Sequence, residues 1–153
     1  MMLSYRWQTD IGILQASVEN DEVIELSFAH EKPLLEPVSD PLLKEVVKQL
    51  NAYSRGTLQQ FELPLAPAGT AFQQEVWQAL TTIPFGQVWS YRALAEAVGR
   101  PKGFRAVGQA NGKNPIAIII PCHRVIAADG TIGGYSGGLA NKASLLKLEG
   151  VAL

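Results

Sequence analysis

Cysteine is almost absent from this chain: the 153 residues include a single one, Cys122. One cysteine excludes an intrachain disulfide, a CxxC redox pair and a cysteine-rich zinc module. It is typical of a reducing compartment, so we expect a cytoplasmic protein. No basic segment leads into an apolar one at the N-terminus, so no secretory signal is predicted. The longest apolar run, residues 115–121, is far shorter than the roughly 20 residues of a membrane helix, so no membrane contact is expected.

An excess of one charge is also lacking, because 13 Lys+Arg oppose 14 Asp+Glu for a net charge of −1. The two signs are nevertheless separated along the chain. Residues 1–89 carry 5 basic and 11 acidic side chains (net −6), whereas residues 90–153 carry 8 basic and 3 acidic ones (net +5). Such asymmetry is a weak indication of nucleic-acid contact. The composition, 47% apolar and 18% charged, is otherwise that of an ordinary globular protein.

The N-terminal part of the chain predicts a small α/β lobe. Apolar residues alternate through the first thirty positions between turn residues, which predicts three short antiparallel strands. Asp40-Pro41 then predicts the start of a helix that ends at Arg55-Gly56. Residues 63–69 are rich in proline and break both periods, which predicts a linker. We therefore expect one lobe over residues 1–65 and a second over residues 70–153.

The second lobe is predicted to be mainly helical. A capping box at Thr70–Gln73 opens one helix, and Ser90 caps a shorter one that ends at Gly99. A further short helix is expected at about 103–112, a buried strand in residues 115–121, and a last helix at 139–149. Two short helices across a tight turn are typical of a helix-turn-helix. The fold class predicted is α+β, with a helix-turn-helix in the C-terminal lobe.

The predicted helix pair carries a basic patch. No acidic residue occurs between residues 97 and 128, and a patch of this kind binds phosphates without sequence preference. The second helix is rich in small residues (Gly103, Ala106, Gly108, Ala110 and Gly112), and a helix of this kind could enter a widened minor groove. The same small residues fit close helix packing equally well, and both interpretations stay open. The candidate DNA contacts are Arg100, Lys102, Arg105, Ala106, Gln109 and Asn111.

Cys122 follows the apolar run directly. A lone cysteine in this position is usually an inert buried side chain. Pro121 cannot donate a strand hydrogen bond, so regular pairing should end where the thiol begins. His123 and Arg124 come next, and a nearby base or positive charge lowers the pKa of a thiol from about 8.5. Neighbours in a strand point to opposite faces, so His123 would need a turn or a bridging water to reach Cys122.

Glu149 falls on the apolar side of the last predicted helix. On a wheel of about 100° per residue, with Leu145 at 0°, Leu148 lies near 300° and Glu149 near 40°. A carboxylate in that position must be paired, and a Cys–His–Glu chain is the arrangement of an activated nucleophile. The alternative is that Glu149 frays into solvent near the C-terminus.

The residues around Cys122 resemble the O6-alkylguanine-DNA alkyltransferase family. The resemblance rests on Pro-Cys-His-Arg-Val at 121–125, on Asn114-Pro115 before it and on Gly-Tyr-Ser-Gly-Gly at 134–138 after it. Ser90-Tyr91 and Arg-Ala-Val-Gly at 105–108 belong to the same pattern. The resemblance covers residues 70–150 densely and the N-terminal lobe only in its general layout.

The resemblance implies an enzyme that repairs DNA by single-turnover, irreversible transfer of the alkyl group of O6-alkylguanine, and also of O4-alkylthymine, to Cys122. His123 would act as a base through a water and be oriented by Glu149. Asn114 would tie the recognition helix to the active-site strand. Tyr91 would help to rotate the damaged nucleotide out of the duplex and donate a proton to the leaving guanine, a rotation that chemistry on a stacked base requires.

The resemblance also implies how DNA and the base are held. Arg105 would fill the space vacated in the duplex, and Tyr91 would contact DNA as well. Lys142, near 60° on the same wheel as Glu149, is similar to a family lysine near the pocket, and its role stays open. The substrate pocket would be lined by Tyr135, Ser136, Gly137 and the backbone near Val125.

Some relatives hold zinc in the N-terminal lobe, but here that lobe has no cysteine and only His30, so no metal and no cofactor is predicted. The expected partner is double-stranded DNA, bound by a monomer through the minor groove with little dependence on sequence. Two other functions stay open. A binding-only damage sensor is disfavoured by the presence of Cys122. A thiol hydrolase using Cys122 and His123 would not need the basic helix pair.

Overall fold

The structure is a computed structural model that describes residues 1–152. It consists of two compact units, one formed by Met1–Ala68 and the other by the residues from Gly69 onward. Both combine helices with strands, which confirms the α+β class. No helix within residues 1–152 is long and apolar enough to cross a membrane.

The first unit contains the three antiparallel strands that the alternating pattern predicts. They are β1 (Leu3–Thr9), β2 (Gly12–Glu19) and β3 (Glu22–Phe28), in the order β1-β2-β3. Asn20 and Asp21 between β2 and β3 have φ angles of +52° and +59°. This left-handed conformation suits a two-residue hairpin loop, and Asn and Asp tolerate it better than most residues.

Helix α1 (Pro41–Ser54) completes the first unit. It begins as predicted, because the Asp40 carboxylate accepts a hydrogen bond from the Leu43 amide at 3.0 Å. The Trp7 indole of β1 donates to the Asn51 side chain of α1 at 2.9 Å, which fixes the helix against the sheet. The buried core between them is formed by Leu14, Ala16, Val18, Leu26, Leu43, Val46, Leu50 and Tyr53.

The stretch predicted as a linker, residues 63–69, is partly bound to the sheet. The Val23 amide donates to the Pro64 carbonyl at 2.8 Å, and the Ala66 amide donates to the Val23 carbonyl at 2.8 Å. Residues 64–66 thus occupy backbone groups of β3 that an edge strand would otherwise leave unpaired.

Within residues 69–152, the second unit contains four α-helices and one short parallel strand pair. The helices are α2 (Ala71–Leu80), α3 (Tyr91–Ala97), α4 (Phe104–Gly112) and α5 (Leu139–Leu148). Strands β4 (Trp89–Ser90) and β5 (Val125–Ile126) pair in parallel. Both predicted caps are present, since the Thr70–Gln73 capping box opens α2 and the Ser90 hydroxyl accepts from the Ala93 amide at 3.0 Å.

Helices α3 and α4 are joined by residues 98–103, within one residue of the predicted bounds. The buried Trp77 indole of α2 donates to the Ala110 carbonyl of α4 at 2.8 Å, so α4 is held at its C-terminal end. The interpretation of α3 and α4 as a DNA-binding helix-turn-helix stays a prediction.

The isoleucine-rich run forms a buried turn, so the strand predicted for residues 115–121 is wrong. The Ile120 amide donates to the Ile116 carbonyl at 3.1 Å, and Ile118 has a left-handed φ of +71°. The Asn114 side chain replaces a strand partner, because it accepts from the Ile116 amide at 3.0 Å and donates to the Ile120 carbonyl at 2.8 Å. Apolarity predicted burial correctly but did not distinguish a strand from a turn.

Candidate active site

Cys122 begins a single 3-10 turn, Cys122–Arg124, at the end of this buried run. The thiol residue is only 3% exposed. It forms part of the wall of a cavity of about 180 Å³. The other lining residues are Tyr91, Gly108, Asn111, Gly112, Gly134, Tyr135 and Ser136.

A buried cluster of three charged or titratable side chains lies behind Cys122. His123 Nε2 and Glu149 Oε2 are 2.7 Å apart. Arg124 donates to the same carboxylate from Nε to Oε1 at 2.8 Å and from Nη2 to Oε2 at 3.1 Å. Its remaining terminal nitrogen, Nη1, donates to the Ile83 carbonyl at 2.6 Å. Glu149 is therefore buried and paired, as predicted, and it does not fray into solvent.

The histidine of this cluster is set up as a neutral base. Burial lowers the pKa of His123, and the hydrogen bond that its Nε2 donates to Glu149 opposes that shift. Because Nε2 is bonded to Glu149, the free position on the ring is Nδ1. This atom is buried and has no hydrogen-bond partner among residues 1–152. A buried polar atom of this kind is where an ordered water or a substrate proton is expected to bind.

The prediction that His123 and Arg124 lower the pKa of the Cys122 thiol is wrong, whereas the role of His123 as a base through a water stays a prediction. Both side chains are directed to Glu149, and burial raises the pKa of Cys122. The Asn114 side chain and the charge of Lys142 act in the opposite direction and favour the thiolate. The sequence neighbours of a cysteine therefore do not reveal which charges act on its sulfur.

Lys142, whose role the sequence left open, is fully buried. Its ammonium donates to the Val125 carbonyl at 2.6 Å and to the Gly134 carbonyl at 2.9 Å. Lys142 thus joins the strand after the cysteine to the loop that forms one wall of the cavity. Burial lowers its pKa to about 8, and the nearby Cys122 opposes that shift.

Two tyrosines face the same cavity. Burial raises the pKa of Tyr91 and, more strongly, the pKa of Tyr135, and the charge of Cys122 adds to both shifts. Both hydroxyls therefore keep their protons at neutral pH and can donate. The Tyr135 hydroxyl is buried and has no hydrogen-bond partner among the described residues. Gly133 is held at φ +74°, and a Cβ there would lie 3.2 Å from the Tyr91 hydroxyl, so this close approach requires glycine.

The structure separates the predicted pocket residues into two groups. Tyr135 and Ser136 line the cavity, whereas Val125 and Gly137 are not among its lining residues. The Val125 carbonyl already accepts from Lys142, and the Gly137 carbonyl accepts from Asn141 at 2.8 Å. A base contact by these two positions stays a prediction.

The predicted DNA contacts also divide. Five of them are exposed at α4 and the turn before it: Arg100, Lys102, Arg105, Ala106 and Gln109. Asn111 is buried instead, and its Nδ2 donates to the Cys122 carbonyl at 3.4 Å, so its contact with DNA stays a prediction. Asn111 lies one turn beyond the buried Val107, on the side of α4 that faces the thiol.

Sequence reasoning missed two contributors to the site. Arg124 entered it only as a charge beside the thiol, although two of its nitrogens hold Glu149. A buried carboxylate that needs a partner was the available signal, and the only partner considered was His123. The glycines at 108, 112 and 134 were also missed as cavity lining. Gly108 and Gly134 lie in the motifs that carry the family resemblance, but glycine has no chemical signal that marks it as cavity lining.

The chain is similar to known proteins along most of its length. The family model described as the DNA-binding domain of 6-O-methylguanine DNA methyltransferase matches residues 71–151. The methylated-DNA–protein-cysteine methyltransferase of Methanosarcina barkeri is 44% identical over 147 residues, which are 93% of each chain. The protein of the same name from Mycobacterium leprae is 58% identical over 105 residues, which are 69% of this chain and 64% of the relative.

Solved structures give the same result. The O6-methylguanine methyltransferase of Mycobacterium tuberculosis matches with a TM-score of 0.83 and 42% identity, over 97% of this chain and 93% of that one. The structure of OGT from the same organism in complex with DNA matches with a TM-score of 0.86 and 44% identity, over 95% of this chain and 91% of that one.

Proposed function

Since the chain belongs to the family of 6-O-methylguanine DNA methyltransferases, we propose that it repairs alkylated DNA by moving the alkyl group from guanine O6 onto its own Cys122. The observation that carries this proposal is the position of the thiol. Cys122 lies in the wall of a cavity, directly followed by a buried histidine that a carboxylate orients. Such a chain of nucleophile, base and orienting group is the arrangement of an activated nucleophile.

The chemistry follows from the protonation states of the residues. The neutral His123 takes the proton of the Cys122 thiol through a water at Nδ1, and Glu149 with Arg124 stabilises the charge that develops on the ring. The sulfur then attacks the alkyl carbon in line with the bond to O6. A C–S bond forms, the C–O6 bond breaks, and its electron pair leaves with guanine. Tyr91, which keeps its proton at neutral pH, donates it to the leaving base.

The product explains a single turnover. The alkylated Cys122 is a thioether, which has no charge and no good leaving group. Water is not able to release it under mild conditions, so each protein molecule reacts once. The reaction needs no cofactor, because the thiol itself is the acceptor. We extend the proposal to O4-alkylthymine, which also carries its alkyl group on an exocyclic oxygen.

Duplex DNA is the proposed partner, bound through the exposed surface of α4. Arg105, Gln109 and the C-cap residue Lys113 are exposed there, and so are the small residues Ala106 and Gly112. The cations supply affinity for phosphates without sequence preference, and the small residues let the helix approach a minor groove. The lesion must leave the stack to meet a thiol inside a cavity, and Arg105 fills the space that it leaves.

We propose in addition that the protein acts as a monomer and in the cytoplasm. All of the groups used in the reaction come from one unit of one chain, from Tyr91 to Glu149. A reducing compartment keeps the single thiol available.

Intact-protein mass spectrometry after incubation with a duplex oligonucleotide carrying O6-methylguanine tests this function. Alkyl transfer predicts a gain of one CH₂ in every protein molecule, and Cys122→Ala should show none. A protein that cleaves an activated thioester but gains no mass would be a thiol hydrolase. A protein that binds the damaged duplex with unchanged mass would be a damage sensor, and either result contradicts alkyl transfer.

A further inference from the structure

Phe104 is a large apolar side chain that is 50% exposed at the first position of α4. A single exposed apolar residue is common on protein surfaces and needs no explanation. The position of this one is the informative feature, because its neighbours on the helix belong to the candidate active site and its neighbours in sequence are cationic.

Helical spacing places Phe104 on the same side of α4 as the cavity. Phe104, Gly108 and Asn111 are related as i, i+4 and i+7 and therefore share one face of the helix. Gly108 and Asn111 both line the cavity that contains Cys122. With a rise of about 1.5 Å per residue, Phe104 lies roughly 6 Å further along the helix axis than Gly108. The ring is thus close to the cavity but is not among its lining residues.

The charges around Phe104 indicate a polyanionic partner. Arg105 follows it directly, and Arg100 and Lys102 precede it in the turn before α4; all three are exposed. The Arg100 guanidinium lies 4.9 Å from the centre of the Phe72 ring, which holds it at this end of the helix. An exposed aromatic ring between cations is the combination that binds stacked bases and their phosphates together.

We propose that Phe104 is an apolar wedge that stacks on the base exposed beside the lesion when the damaged nucleotide leaves the duplex. This rests on the proposed function, since it takes duplex DNA as the partner. Arg105 and Phe104 then have separate roles. The long side chain of Arg105 fills the vacated position, and the ring of Phe104 stacks on the neighbouring base. Apolar wedges of this kind unstack base steps in other minor-groove proteins.

Direct contact between Phe104 and a DNA base can be measured without any alkyl transfer. Duplexes carrying an abasic site with 2-aminopurine as the adjacent base report stacking by a change in fluorescence. Stacking by Phe104 predicts a fluorescence change on binding that Phe104→Ala abolishes and Phe104→Trp retains. The affinity of Phe104→Ala should fall roughly tenfold, the size of one lost aromatic–base stack. Leu35→Ala, which removes a 98% exposed apolar side chain, is the matched control and should behave as the wild type.

Repair rates separate this proposal from the proposed function. Phe104→Ala should slow reaction with O6-methylguanine in a duplex at least tenfold relative to its reaction with the free base. Equal rates of duplex repair in Phe104→Ala and wild type, or an unchanged 2-aminopurine signal, would overturn the wedge even if the wild type repairs DNA. A wild type that does not gain mass while the fluorescence change still depends on Phe104 would overturn alkyl transfer and leave the wedge standing.

Discussion

Arg124 and Arg105 carry the same side chain in the same unit but have opposite surroundings. Arg124 is buried, with three of its nitrogens bonded to Glu149 and the Ile83 carbonyl. Arg105 is exposed on α4. The first holds the carboxylate that is bonded to His123, whereas the second is available to a partner. The comparison separates the buried cluster, which is His123, Arg124 and Glu149, from the exposed surface of α4.

Substitutions in the two regions should affect the rate of alkyl transfer in different ways. Damage to the buried cluster should slow alkyl transfer from any substrate, including the free base, because the nucleophile itself is affected. Damage to the exposed surface of α4 should slow only the reaction with duplex DNA. The ratio of the two rates therefore identifies the region to which a residue belongs.

The largest effect is expected for Glu149→Gln. The change leaves Arg124 buried without its counter-ion and His123 without its orienting carboxylate. Removing one partner of a buried pair costs about 3–5 kcal/mol of stability, and loss of a positioned base costs roughly 10²–10⁴-fold in rate. Thermal melts and both transfer rates measure these losses. Glu75→Gln, at an exposed position of α2, is the control. Equal stabilities and equal transfer rates of the two variants would contradict the role of Glu149 in the buried cluster.

Asn114→Ala should have the next largest effect. It removes the side chain that bonds the Ile116 amide and the Ile120 carbonyl, and each unsatisfied group costs about 1–3 kcal/mol. The turn before Cys122 should loosen, so both transfer rates fall together. Asn114→Asp keeps the acceptor for the Ile116 amide but loses the donor to Ile120, and it should fall between Ala and wild type in chemical denaturation. A loss confined to the duplex reaction would assign Asn114 to DNA binding instead.

Arg105→Ala tests the exposed surface of α4. Duplex repair should slow roughly tenfold or more, because the vacated position in the stack is left unfilled, while reaction with the free base keeps its rate. Single-turnover kinetics with the two substrates measure the ratio. Arg55→Ala removes an exposed arginine from the first unit and should change neither rate. Equal slowing of both reactions by Arg105→Ala would contradict its role in the duplex.

A pH dependence of stability is expected from the buried cluster. The pKa of His123 in the fold lies below its usual value of about 6.5, so the unfolded chain binds more protons in the window below that pH. The free energy of unfolding should therefore fall as the pH is lowered from about 6.5. Denaturation curves at pH 7.5 and pH 5.0 measure the difference, which should be smaller in His123→Gln. A difference of the same size in the variant would assign the acid sensitivity to other groups.

The smallest effect is expected for Lys113→Gln, at the exposed C-cap of α4. If Lys113 contacts one phosphate, its loss lowers the slope of log K against log salt concentration by about 0.9. Fluorescence anisotropy with undamaged duplex measures that slope. Lys48→Gln, an exposed lysine of α1, should leave it unchanged, and the same slope in all three proteins would remove Lys113 from the interface.

Most of the helices and strands and the burial of Glu149 follow from the sequence, because their signals are local. Asp40-Pro41 and the Thr70–Gln73 capping box mark helix starts, and the wheel placed Glu149 among buried residues. The exceptions depend on contacts made across the chain. The run at 115–121 is a turn in which the Asn114 side chain bonds the Ile116 amide and the Ile120 carbonyl, as a neighbouring strand would otherwise do. Apolar periodicity does not indicate that a side chain will take the place of a strand partner.

The electrostatics of the site could be predicted least. The sequence places His123 and Arg124 beside Cys122, but the 3-10 turn directs both toward Glu149, a residue 25 positions further along. Lys142, twenty positions from the thiol, is the cation that favours its charged form. Charges act through space, so their order along the chain indicates little about which group they affect.

The most direct test of alkyl transfer to Cys122 locates the transferred methyl group. A duplex carrying O6-methylguanine with an isotopically labelled methyl group is incubated with the protein, which is then digested and sequenced by tandem mass spectrometry. Alkyl transfer predicts one label per protein molecule, on the sulfur of Cys122, and none after that however large the excess of DNA. Three results would contradict single-turnover transfer to Cys122. They are label on another residue, label released as methanol, and removal of more than one methyl group per protein molecule.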